Sequence, residues 1–229
     1  MAERQPNKPL NLTVPGNLPV PIGSYQRRRM YERFLSKTKV DMVDKILDVG
    51  VSVDVTYETS NYLEQWYPDK SAITAVGLDA ATHLERLYSV RFVRANGLHL
   101  PFRDSAFDVV HSSAVLEHVG SFRNQISFVQ ECCRVARRWV FLTTPNRWFP
   151  VEFHTVLPIV HWLPKRTFRV LMRATGYSFF ADENNLNLLS MKEVRAICAR
   201  VHGFVFEVSS VSLLGWPSNI LLTGRRVDS

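Results

Sequence analysis

The chain has 229 residues, 46% of them hydrophobic and 21% charged. That balance excludes a mainly disordered chain, and the length suits one domain or one with a small appendage. Three cysteines, two of them adjacent at Cys132 and Cys133, exclude a disulfide scaffold and any paired cysteine metal site, and a cytoplasmic location is the expectation. No apolar leader precedes a small-residue cleavage site, and the uncharged run 208–224 is too polar and too broken to span a bilayer. The formal net charge of +7 is unevenly spread: residues 1–40 hold eight basic and two acidic side chains, or +6, which leaves about +1 for the rest. A body so nearly neutral is not a groove-tracking surface, and no nucleic-acid partner is expected.

Residues 1–23 carry five of the twelve prolines and no periodic pattern, and read as an extended arm. From Ser24 as N-cap, residues 25–40 read as an amphipathic helix, with Tyr25, Met30, Phe34 and Leu35 opposite arginines and lysines. The triplet Arg27-Arg28-Arg29 reads as a solvated face; closing a ligand cleft or meeting an anionic substrate or surface are its alternatives. Short apolar strands follow at 45–50, 72–78, 90–94 and 107–111. Residues 121–137 place Phe122, Ile126, Val129 and Cys133 on one helical face, and 139–143 is a further apolar strand. Residues 145–189, rich in aromatics and proline, interrupt this rhythm as a helical lid insertion. A helix at 190–202 and strands near 203–210 and 219–226 close the pattern. Strands apolar on both faces, separated by helix-length segments, predict an α/β fold: a doubly wound, Rossmann-like, mostly parallel sheet with an N-terminal arm and a lid. The expected division is 1–40, arm and basic helix, and 41–229, the α/β domain.

In such a sheet ligands bind beyond the carboxyl ends of the strands. After the first strand comes Asp48-Val-Gly50-Val-Ser52-Val-Asp54, where Gly50 and the small Ser52 allow close backbone approach. After the second comes Asp79, placed to accept from a ribose diol, and after the third Asn96-Gly97, where Asn96 can pair with an adenine edge. Each residue taken alone also reads as ordinary turn chemistry. Together they supply a turn, a diol acceptor and an amide in the order a nucleoside ligand needs.

The motif ILDVGVSVD, the strand end GLDAA, the long segment ANGLHLPFRDSAFDVVHSSAVLEHV (95–119) and TTPN (143–146) resemble the class I S-adenosylmethionine-dependent methyltransferases, in particular the type 11 branch. One departure is Ser52, which stands where that family usually has its second glycine. The resemblance implies S-adenosylmethionine as cofactor and S-adenosylhomocysteine as product. It implies that the turn from Asp48 to Ser52 wraps the methionine end with Asp48 near the ammonium, and that Asp79 accepts from the ribose. Asn96, Gly97 and Leu98 would border the adenine, with His111, Ser112 and Ser113 below the sulfonium.

Methyl transfer from a sulfonium is an in-line displacement whose leaving group needs no proton, so alignment in a dry pocket is the main task. A base is required only for an acceptor that must lose a proton. His118, His154 and Glu152 are the candidates, His118 also reading as a helix cap or packing residue. Glu152 and His154, two apart, can share a face, but two ligands without a third do not make a metal centre, and none is expected. The expected activity is methyl transfer to an oxygen or nitrogen of a small molecule such as a sugar, polysaccharide precursor or natural product. RNA or protein methylation, or a degenerate binding module, are the alternatives.

Overall fold

The computed structural model describes residues 19–53 and 59–227; the proline-rich arm to residue 18 and Asp54 lie outside them. Strands β1 (Ile46–Val49) and β2 (Ile73–Gly77) are buried along their whole lengths, as their two-sided apolar character requires. With β3 (Arg91–Arg94), β4 (Phe107–Ser113), β5 (Ala136–Pro145), β6 (Phe204–Leu213) and β7 (Trp216–Arg226) they form one seven-stranded sheet, ordered β3-β2-β1-β4-β5-β7-β6. Strands β1 to β5 pair in parallel, and β7 enters antiparallel between β5 and β6. The strand order reverses between β1 and β4, so a crevice opens beyond their carboxyl ends.

Side chains alternate across the pleat and sort into two cores. Leu47, Val49, Val110, Val140 and Leu142 pack with Phe128, Val129 and Cys132 of α4 (Phe122–Val135) and with Val194 and Ile197 of α6 (Met191–Cys198). Ile46, Ala75, Val109 and Phe141 pack with Met30, Tyr31 and Phe34 of α1 (Pro19–Thr38) and with Tyr62 and Leu63 of α2 (Tyr62–Trp66). Phe34 is completely buried, and burial of one such ring stabilises the domain by about 1.5–3 kcal/mol. Helix α1 is therefore part of the core rather than an appended element. The third helix, α3 (His83–Tyr88), follows β2.

The boundaries differ from the sequence pattern in three places. Helix α1 starts at Pro19 rather than after Ser24, because a proline in the first turn lacks only an N–H that would have no intrahelical partner. Strand β5 begins at Ala136, three residues before its apolar run, carried by pairing with β4. The closing strands are longer than their apolar cores and form a hairpin over Leu214 (φ 50°) and Gly215 (φ 81°). Two successive positive φ angles suit the twist of a tight hairpin.

The arginine triplet is spent on the protein itself. Arg27 Nη1 donates to Thr59 Oγ1 at 2.9 Å, Arg28 lies over the Tyr31 and Trp66 rings, and Arg29 donates to the Ser212 carbonyl. Between β5 and α6 the chain builds a helical segment that includes α5 (Lys165–Ala174). Phe168, Met172 and Ala181 form its own small core. Among the described residues, no helix is long and apolar enough to cross a membrane.

Candidate active site

Beyond β1 the chain turns at Gly50, whose φ of +99° belongs to a region that L side chains rarely adopt. Gly50 and Val51 donate their N–H groups to Val76 O at 2.7 and 3.0 Å, which folds the turn back onto β2. A methyl group at position 50 would also collide with Val115 Cγ2 and stand 3.1 Å from its Cγ1. Buried Asn61 closes the turn: Ser52 N–H donates to Asn61 Oδ1 at 2.8 Å, and Asn61 Nδ2 donates to Ser52 O at 2.9 Å. The amide holds the Ser52 backbone on both sides, so the turn is kept by side-chain hydrogen bonds.

Asp79 sits partly exposed just past β2, with no hydrogen bond or ion pair to the described residues, an available pair of acceptor oxygens. Asn96 is exposed and uses Oδ1 to accept from Leu98 N–H at 3.0 Å, a local turn that presents Gly97 and half-buried Leu98. Gly97 has a packing reason of its own, since a methyl there would stand 2.6 Å from Phe128 Cε2. Ser112 is buried and its hydroxyl donates to Val49 O at 2.6 Å, so it ties β4 to β1 and leaves only backbone for a ligand.

Asp48 has turned inward. Its Oδ1 lies 2.7 Å from His111 Nδ1, and His111 Nε2 lies 2.8 Å from Tyr62 Oη, all three beneath α1 and α2. Burial pushes Asp48 up to about 7 and His111 down to about 4. Glu64, completely buried beside Asp48, shares a side-chain hydrogen bond with the Asp48 carboxyl. Burial first, and then the charge of Asp48, hold its pKa well above the usual carboxylate range.

A second polar cluster lies past β4 and β5. Val115 leads into a single turn in which His118 N–H donates to Val115 O at 2.8 Å. One end of this turn packs on Gly50 and the other carries Glu117 and His118. His118 Nδ1 donates to Asn185 O at 2.6 Å, and its Nε2 faces His154 Nε2 at 3.1 Å. His154 Nδ1 is 2.6 Å from Glu152 Oε1, and Glu152 also accepts from the backbone N–H groups of His154 and Thr155 at 2.9 and 2.5 Å. Burial alone would raise the Glu152 pKa, but His154 holds it down to about 2; burial alone would lower that of His154, but Glu152 raises it. His118 is driven down to about 4 by burial and by the charge of His154, and Glu117 up to about 7 by burial. Glu117 Oε2 accepts from Thr144 Oγ1 at 2.9 Å.

Residues 47–142 match the family model described as a methyltransferase domain. This segment matches as a methyltransferase domain, and the sheet that contains it has the fold of the class I S-adenosylmethionine-dependent methyltransferases. The whole fold is similar to solved structures at low identity. The PH0226 protein of Pyrococcus horikoshii OT3 is 13% identical, with 96% of this chain and 97% of that one covered and a TM-score of 0.60. A putative sarcosine dimethylglycine methyltransferase from Galdieria sulphuraria is 12% identical over 94% and 92%, with a TM-score of 0.60. The magnesium protoporphyrin IX methyltransferase of Synechocystis, solved with S-adenosylhomocysteine, is 13% identical over 91% and 85%, with a TM-score of 0.58. No curated protein sequence matches the chain.

The residues of this domain fit S-adenosylmethionine on their own observations: the backbone turn at Gly50, where no Cβ fits, and the Asp79 carboxylate, which has no hydrogen bond or ion pair to the described residues. His118 and His154, 36 residues apart in sequence, are brought into contact. Sequence reasoning missed Asn61, Glu64 and Glu117. Glu117 was visible beside His118, but nothing in the pattern tells that a one-turn helix aims it inward. The polar stretch 182–187 is spent on structure: Asn187 donates to Gly120 O and accepts from Lys165 Nζ, at 2.8 and 2.9 Å.

Proposed function

We propose that this methyltransferase transfers the methyl group of S-adenosylmethionine to an oxygen or nitrogen of a small molecule held at the His118–His154 pair. The observation that carries the reading is the turn 115–118, which packs against the cofactor turn at one end and presents His118 to His154 at the other. The cofactor, when bound, supplies an electrophilic methyl on a sulfonium. Asp79 accepts from its ribose hydroxyls, and the Gly50–Ser52 turn, with Asp48 and Glu64 beneath it, receives its amino-acid end. Asn96, Gly97, Leu98 and the backbone at Ser112 border its base and sulfur.

The histidine pair then faces the acceptor. Only His118 keeps partial exposure, about a quarter of its side chain, while His154 and Glu152 lie behind it. A group buried to that extent suits a small acceptor. Phe180, whose ring centre is 6.1 Å from that of His154, supplies an apolar wall that keeps water away.

Titration of the purified protein with S-adenosylmethionine and S-adenosylhomocysteine tests the first half. At 100 times its dissociation constant a ligand stabilises the native state by about 2.7 kcal/mol, a melting shift of about 5–10 °C in a chain of this size. A screen of hydroxyl- and amine-bearing small molecules for S-adenosylhomocysteine production tests the second. No cofactor binding at millimolar concentration refutes the reading in favour of a non-catalytic module. Turnover confined to RNA or protein, with steep salt dependence, refutes the acceptor class.

A further inference from the structure

The acceptor-side cluster contains a convergence that one-residue-at-a-time reading of the site leaves unexplained. His118 Nδ1 donates to a carbonyl and His154 Nδ1 to a carboxylate, so in their neutral forms both rings leave Nε2 as a lone pair. These two lone pairs point at each other across 3.1 Å, a repulsive contact unless something positive lies between them. A proton relieves that contact alone. It does nothing for Glu117 Oε1, which is completely buried, 3.8 Å from His118 Nε2, and without a hydrogen-bond partner among the described residues.

We propose that Glu117, His118 and His154 bind a divalent transition-metal cation, zinc first among its class, with an open position for an acceptor hydroxyl. The ligand atoms of these three residues lie within 4.8 Å of one another. Two imidazole nitrogens on one tetrahedral zinc ion stand about 3.3 Å apart, close to the separation already present, and a small rotation of Glu117 completes the set. Two histidines and one carboxylate are the donors of a catalytic rather than a structural zinc site, because they leave a coordination position open; ferrous iron and manganese accept the same donors.

Each ligand is also held from behind. Asn185 O takes the His118 Nδ1–H, Glu152 takes that of His154, and the Thr144 hydroxyl binds the outer oxygen of Glu117, which is how proteins fix and orient metal ligands. The charges balance: two neutral imidazoles with the carboxylates of Glu117 and Glu152 offset a dication, so the ion enters a buried place without leaving a net charge there. The open position faces the acceptor side, and the ion fixes a hydroxyl oxygen there. This deepens the proposed function only in naming that oxygen, whereas ion binding itself is independent of it.

The test uses the full chain, stripped with chelator and titrated with Co2+ followed by visible absorption and with Zn2+ followed by calorimetry. One ion per chain is expected. Glu117→Gln and His154→Gln should each weaken binding about 100-fold or more, and Thr144→Val, which removes only the hydroxyl behind Glu117, about 10- to 100-fold. Far-UV circular dichroism establishes that each variant is folded. Failure of the folded wild-type chain to bind either ion saturably overturns the proposal. So does binding unchanged in Glu117→Gln and His154→Gln, which would place the ion on the exposed His83, His99 or His202. S-adenosylhomocysteine binding is measured separately on the same samples; its loss with ion binding intact refutes the methyltransfer reading and leaves the metal site standing.

Discussion

Replacing Gly50 by alanine separates two costs that the turn combines. The backbone at φ +99° penalises an L residue by about 1–2 kcal/mol, and forcing a methyl against Val115 adds an overpacking cost of about 1–3 kcal/mol. Together the substitution should destabilise the domain by about 2–5 kcal/mol. Val115→Ala removes two half-buried methyl groups and costs at most about 1.6 kcal/mol. It also vacates the space that the new Cβ needs. The double variant therefore retains the backbone cost and the lost methyls but not the collision, and should be less damaged than the sum of the single changes by about 1–3 kcal/mol. Urea unfolding followed by far-UV circular dichroism, with the slope checked for constancy, measures all four corners of the cycle. Additivity within about 0.5 kcal/mol would show that Val115 does not press on the turn. A Gly50→Ala cost below about 1 kcal/mol would refute the strained conformation itself.

The Glu64 carboxyl holds a proton in the folded state that the unfolded chain releases, so its contribution to stability is lost as pH rises from about 4.5 through the folded pKa. Asp48 acts in the same sense between about 4 and 7, while His111, lowered to about 4, opposes it over nearly the same window. Glu64→Gln should therefore be favoured over the native chain more at pH 8 than at pH 5; an equal difference at both, by urea unfolding, excludes the assignment. Asn61→Ala removes both hydrogen bonds to Ser52 and should cost about 1–3 kcal/mol while weakening S-adenosylhomocysteine binding; calorimetry showing unchanged affinity would separate the turn from the cofactor. Asp79→Ala should leave stability within about 0.5 kcal/mol and lower that affinity about 10- to 100-fold, and full affinity in a folded variant refutes the ribose role.

The sheet was legible because β1 and β2 are apolar on both faces and end in Asp48 and Asp79 at the positions where a parallel sheet opens. Residues beyond the strands were harder. The motif places Asp48 at the strand end, but whether a carboxylate there faces solvent or the sheet depends on what lies across the pleat. Here His111 of the neighbouring strand and Tyr62 of α2 draw it inward. Ser52 looked like a loss of flexibility, and its compensation, Asn61, lies nine residues on with no local signature. The histidines at 118 and 154 were each visible, but only the return of the chain past β5 brings Glu152 and His154 back to the turn of Glu117 and His118. Positive φ at Leu214 likewise follows from the hairpin's twist rather than from leucine's own preference.

The place of β7 bears on how the chain is born. It is the most C-terminal strand of the sheet in sequence, yet in space it lies between β5 and β6 and pairs with both. Until residue 226 has left the ribosome, the backbone of β5 has one edge without a strand to meet it, and β6 has none at all. A nascent chain stalled between β5 and α6 would thus display an open, apolar strand edge, the kind of template that invites a second chain. During translation the sheet stays incomplete until its last strand arrives.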